Sequence, residues 1–317
     1  MVPATQHRKG GFFLALLLLT LQFSFSATVR AATSSNDIYA TIEVADKAMD
    51  VILRKAKGVS KVSSPEINES QLGAMHAYQL HIACLDQIRI LEIKLKLHPF
   101  PKIVASPVAY QAEDVLQLSA IIRSEVRRIA IHLNIWGMPE VDQNYRNKTY
   151  NDVVRLCLAV FMKLRTLGDL DTISMDGAFQ QFPRGVADIK SILTHIDPAQ
   201  RYRIDLAPEN SNAELAAVYQ ECLALRHDLN TLRRFYRLKE VAVPTGPPHK
   251  KLHPSDIYIQ SQIILAELNA LKKASNTSSI SPDAIPVTDK TAADLLYQIK
   301  VLRYLANQLP TLSAMVQ

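Results

Sequence analysis

The sequence predicts an all-α protein: two tandem antiparallel four-helix bundles made from one duplicated unit. Three observations carry that expectation. Apolar residues follow a series of aspartates at a fixed alternation of four and three, the spacing of a helix seam in a bundle. The segments start again about every 38 residues. Between them lie stretches rich in Pro, Ser, Asn and Asp, such as "KVSSPEINES", "HPFPKIVASP" and "SNTSSISPDAIP", which favour turns and break helices. No stretch alternates as a β-strand would.

Taken in order, the chain opens with Arg8 and Lys9, a short apolar run from Phe12 to Leu21, and small residues at Val29 and Ala31. That is the layout of a secretory signal, with cleavage expected after Ala31. Its apolar stretch is too short for a comfortable membrane span. The first 31 residues hold three basic side chains and no acidic one, so their removal takes the net charge from +6 to +3. A residual charge this small over such a length offers no basis for nucleic-acid binding.

The first helical segment starts at Asp37, with Ile38, Ile42, Ala45, Met49 and Ile52 on its seam. The second carries Ala77, His81, Cys84, Ile88 and Leu91. Asp114 leads Val115, Ser119, Ile122, Val126 and Ile129, and Asp152 leads Val153, Cys157, Val160, Leu164 and Leu167. A weaker segment after Asp188 offers Ile189, Leu193 and Ile196. Then come Val218, Cys222, Leu225, Leu229 and Leu232; Ile257, Ser261, Ile264, Leu268 and Leu271 after Asp256; and Leu295, Ile299, Leu302, Ala306 and Leu309 after Asp294.

Origins at 37, 76, 114 and 152 precede those at 188, 217, 256 and 294 by 151, 141, 142 and 142 residues. Three nearly equal offsets predict duplication of a four-helix unit. The expected boundaries are a signal at 1–31, a first bundle at 32–170, a connection at 171–182 that lacks the seam, and a second bundle at 183–317. The alternative is one continuous eight-helix α-solenoid of the same units.

The recurring aspartates have a structural explanation. Ser34, Gln111, Thr149, His253 and Thr291 stand three residues ahead of Asp37, Asp114, Asp152, Asp256 and Asp294. That is the spacing of a capping box, with Asp at the third helical position. A general acid or base would be needed once, beside a partner, and not at the start of five helices.

Catalytic chemistry finds little support. G-x-S-x-G and His-Glu-x-x-His are absent, as are the Glu-x-x-His helices of carboxylate-bridged metal bundles. Cys84, Cys157 and Cys222 share no metal-ligand spacing and read as buried thiols, although one pair could bridge in an oxidising compartment. His76, His81 and the pair His249/His253 are the histidines worth testing as ligands. No metal and no cofactor is expected.

The candidate ligand or partner residues are Tyr39, Tyr78, Tyr219 and Tyr258, which follow the first seam position of four segments, together with Trp136, Arg233 and Arg237. Tyrosines flanking a bundle core most often bury the ring and keep the hydroxyl wet; the other reading is an aromatic-lined pocket at a bundle end. Arginines in runs usually lie on solvated faces, but Arg233 and Arg237 could hold an anion. The function expected is that of an exported, soluble, non-catalytic binding or interaction protein of the bacterial envelope, periplasmic or secreted, with an envelope protein as partner. The alternative is a periplasmic sensor or carrier holding a small molecule between helices.

Overall fold

The structure is a computed structural model. It describes residues 32–309 apart from 138, 141–144, 171, 200–203, 205 and 208–211, so the expected signal segment lies outside the described residues. Among the described residues all regular structure is helical: α1 (Ser35–Lys57), α2 (Ala74–Lys94), α3 (Ala112–His132), α4 (Tyr150–Leu167), α5 (Met175–Phe179), α6 (Phe182–Ile196), α7 (Leu215–Phe235), α8 (Pro254–Ala274) and α9 (Ala292–Ala306). No helix among these residues is long and apolar enough to cross a membrane.

Helix starts follow the capping arithmetic. The backbone N–H of Ser34, Gln111, Thr149, His253 and Thr291 each donates to the aspartate three residues on, at 2.6–2.8 Å. In α2 the same place is held by His76, whose Nδ1 accepts the Gly73 N–H at 3.0 Å. Helix ends repeat as faithfully. Lys96, Asn134, Asp169, Arg237 and Asn276 adopt positive φ just beyond their helices. The next residue's N–H then reaches back to the carbonyl five before it, as in Leu97→Glu92, Ile135→Ala130, Leu170→Arg165, Leu238→Arg233 and Thr277→Lys272. This is the Schellman closure, built here without glycine except at Gly58.

The helices fall into two groups, α1–α4 and α5–α9. In the first, α1 packs on α3 and α4, and α2 packs on the same two. In the second, α8 packs on α6 and α7, and α9 on the same two, with the short α5 against α8 and α9. The consecutive pairs α1/α2, α3/α4 and α6/α7 are not closely packed, whereas α2/α3 and α7/α8 are. Contact between α1 and α4 closes the first group on itself, so the helices form two groups and not one evenly stacked row.

Within each group the helices run the same way, which corrects the antiparallel expectation. The starts of α1 and α4 meet where Asn36 accepts the Lys148 N–H, and their ends meet where Lys57 pairs with Asp169. Asn151 accepts the Leu72 N–H at the start of α2, while Lys94 reaches Asp169 at its end. His81 bonds Ser119 near the starts of α2 and α3, and Glu92 bonds Arg128 near their ends. In the second group Tyr219 meets Gln260 and, one seam further, Arg226 meets Glu267. Similarly, Gly185 faces Leu268 and Asp188 bonds Lys272.

Connector length is the reason. The segments 58–73, 95–111 and 133–149 each have 16 or 17 residues, enough to span roughly 50 Å when extended. A 21-residue helix is only about 31 Å long. Each connector therefore returns along the group before the next helix begins, and it buries Ile67, Leu72, Ala105 or Ile135 on the way. Read as turns, these segments implied antiparallel neighbours; they are straps.

Parallel helices in register bring equal seam positions into one layer. Every seam residue named above is buried except Ile196, which is half-buried. His81, Ser119 and Cys157 share one layer, and His81 Nε2 lies 2.8 Å from the Ser119 hydroxyl. Small Ser119, Cys157 and Ser261 at this level leave the space that close packing needs. The segment 171–182 is not a bare connection: it contains α5, and Ala178, Phe179 and Phe182 are buried in the core. Asp176 of α5 accepts the Lys290 N–H ahead of α9, so α5 and α6 together occupy the fourth helical place, broken near Gln180.

Candidate functional site

The two groups meet where α2 crosses α8. The faces that meet are polar. Gln79, Gln87 and His76 of α2, and Gln260, Gln262, Glu267 and Asn269 of α8, are all buried. Their spacing off the seam would suit a solvated face. Gln79 Nε2 donates to Gln262 Oε1 at 3.0 Å across the crossing, and His76 lies against Glu267, with Nε2 3.8 Å from Oε1.

Arg226 of α7 organises this junction. It is fully buried, with Nη1 and Nη2 donating to the two oxygens of Glu69 at 2.8 and 3.2 Å. Nη1 also donates to Gln260 Oε1, Nε to Glu267 Oε1 at 3.1 Å, and Nη2 to the Ala242 carbonyl. Glu69 belongs to the strap between α1 and α2, so this fork ties the first group to the second. Burial alone would raise the Glu267 pKa, but Arg226, His76 and Arg233 together outweigh it and hold the carboxyl below its usual range. Sequence reading missed Arg226 because the run Arg226–His227–Asp228 resembles a solvated face, and its acidic partners lie 157 and 41 residues away in the chain.

Beside this latch opens a cavity of about 670 Å³. Its walls come from the start of α2, from Val108–Tyr110 of the strap before α3, from Leu238–Val241 after α7, and from Ala266, Ala270 and Lys273 of α8. Among its polar lining residues, three keep a buried atom without a hydrogen-bond partner: Arg233 Nη1, His76 Nε2 and Asn269 Oδ1. Buried polar atoms are seldom left so. Asn269 spends its Nδ2 on the Ser106 carbonyl at 2.8 Å, which leaves its oxygen as an acceptor. Apolar walls with a few placed polar groups are the usual make-up of a ligand site.

A second cavity of about 490 Å³ lies on the other flank of the crossing, between Asp86, Arg89, Arg165, Arg184 and Tyr258. Lys102 pairs there with Asp283, while Arg165 Nε, Gln87 Nε2 and Gln262 Nε2 are buried without hydrogen-bond partners. His249 and His253 border a third, of about 650 Å³, with ring centroids 5.9 Å apart and Asp256 Oδ2 3.1 Å from His249 Nε2. Among the described residues no group of three His, Cys, Asp or Glu is placed to hold a metal ion.

The candidate residues scatter. Arg233 lines the junction cavity, and Tyr78 stacks at 3.6 Å on Tyr110 of its wall. Tyr219 is buried in the Arg226 network, and Tyr258 is buried against Phe161 beside the second cavity. Tyr39 meets Tyr145 and Lys148 far from both. Arg237 is exposed at a helix end, and Trp136 is 66% exposed beside a groove between α1 and α3. The tyrosines share a template position, but each faces outward from its seam, so they do not converge on one pocket.

Cys84, Cys157 and Cys222 are buried and unbridged. Burial alone would raise the Cys157 pKa; the hydrogen bond from Cys84 and the charge of His81 prevail and bring it to about 5. The chain matches no known family model, no curated protein and no solved structure.

Proposed function

We propose that this chain is an exported, non-catalytic binding protein of the bacterial envelope, and that its ligand is a small molecule held between its two helical groups. Each group is, in this reading, one copy of a duplicated four-helix unit; the matching pattern of packed pairs and the 142-residue offset support that history. The observation that carries the binding function is the junction cavity, where three buried polar atoms without hydrogen-bond partners stand among apolar and charged lining residues. A non-catalytic role fits the burial of Cys157, His81 and Ser119, a nucleophile and base that no substrate can reach.

Native mass spectrometry of protein purified from the envelope fraction tests the reading. A bound small molecule is expected in the wild type and not in Ala270→Trp, which fills the cavity. Equal ligand loading in both proteins would place the site elsewhere.

A second reading has its own observation. Trp136 and Ile131, 66% and 47% exposed, flank Arg123 and Arg127 at a groove of about 540 Å³. Tryptophan and arginine are enriched at protein-binding hot spots, so an envelope protein docking there is the alternative. Loss of a co-purified partner in Trp136→Ala would favour it.

A further inference from the structure

Resting on the junction cavity as the binding site, we infer that its ligand is an apolar carboxylic acid whose carboxylate meets Arg233. The donor set points there. Arg233 is 6% exposed and its Nε is already committed to the Lys239 carbonyl at 2.8 Å, but Nη1 has no partner. The nearby acid, Glu267, gives Oε1 to Arg226, and its Oε2 makes no hydrogen bond to Arg233. A buried guanidinium N–H left unpaired is costly, and a carboxylate oxygen is the partner that answers both its charge and its geometry.

His76 supplies the second donor. Its Nδ1 accepts the Gly73 N–H, so the neutral ring carries its proton on Nε2, which lies 3.8 Å from Glu267 Oε1 and makes no hydrogen bond. Lys239 and Lys273 at the cavity lining add positive charge against the single acid Glu240. An amine ligand would set a cation beside Arg233. A dianionic phosphate would bring more charge than one buried guanidinium answers, between walls of Val108, Ala109, Ala266 and Ala270. A monoanion with an apolar body fits both halves of the site.

The test is isothermal titration of the purified protein with hexanoate, octanoate, dodecanoate and phenylacetate, each against its matching alcohol and amine. At least one acid is expected to bind roughly tenfold more tightly than its alcohol, with the amine weaker still. Arg233→Gln should erase the acid's advantage over its alcohol; Ala270→Trp should abolish binding of both. Alcohols binding as tightly as acids, or an acid preference untouched by Arg233→Gln, would overturn the carboxylate assignment while leaving the cavity as a site. Binding that persists in Ala270→Trp would overturn the site as well. Failure of every acid to bind the wild type sinks the inference. Should Arg233→Gln not fold, the acid-to-alcohol ratio of the wild type decides alone.

Discussion

The seams inside the helical groups and the junction between the groups are both buried, yet they are built from opposite materials. A seam is Ile, Leu, Val, Ala and Cys in register, with His81 and Ser119 as its polar pair. The junction is Arg226, Glu69, Glu267 and a set of glutamines and asparagines. Seam burial is non-directional and tolerates small shifts. The junction holds only if donors and acceptors meet, so it sets how one group sits on the other. Where that matching is incomplete, at Arg233, His76 and Asn269, a cavity remains. Stability and specificity are thus divided between two regions of one protein.

The largest test of this contrast is Arg226→Met. Removing one partner of a buried ionic network strands Glu69 and Glu267, and a loss of about 3–5 kcal/mol is expected in urea unfolding. Replacing Arg226, Glu69 and Glu267 together with apolar residues of similar volume should recover most of that loss. A cost below about 1 kcal/mol for the single change would show that the network does not hold the groups together.

Next is Leu229→Ala, on the seam of the same helix. A buried leucine truncated in a close-packed core costs about 2–5 kcal/mol, here with no change in the acid preference of the cavity. Smaller is Gly185→Val. A Cβ there would stand 3.0 Å from Leu302 and 3.2 Å from Leu268, so a branched side chain overpacks the α6 contact by about 1–3 kcal/mol in thermal unfolding.

Smallest is Thr149→Ala, which removes a helix cap for about 1 kcal/mol. The Thr149 backbone N–H, chiefly, holds the Asp152 carboxyl below its ordinary value. A lowered acid contributes stability that is complete above the unfolded pKa, about 3.9, and fades as pH falls through the folded value. Asp152→Asn should therefore flatten the acid limb of the stability profile, while leaving stability at pH 7 lower. A profile unchanged below pH 4 would remove Asp152 from the account.

Much of this was legible in the residues themselves. The fourfold-threefold alternation located every long helix, because burial of one stripe is a local demand on sequence. Asp37, Asp114, Asp152, Asp256 and Asp294 announced helix starts, because a cap and its acceptor lie three residues apart. His76 hid in the same role, since imidazole was read as a ligand before it was read as a hydrogen-bond acceptor. Helix ends were missed because Lys96, Asn134, Asp169, Arg237 and Asn276 do the work usually given to glycine. Among candidate site residues Arg233 was marked, for being one of a run; Asn269 and Arg226 were not, lacking any local signal.

By itself the sequence determined which long segments are helical, where the Asp-capped ones begin and which stripe turns inward, since these depend on contacts within a few residues. Only the tertiary structure decided that the helices of a group run parallel, that α2 and α8 bury polar faces on each other, and that a cavity opens beside Arg226. Those outcomes depend on where 16-residue straps return and on partners more than 150 residues apart, and no local pattern encodes such pairings.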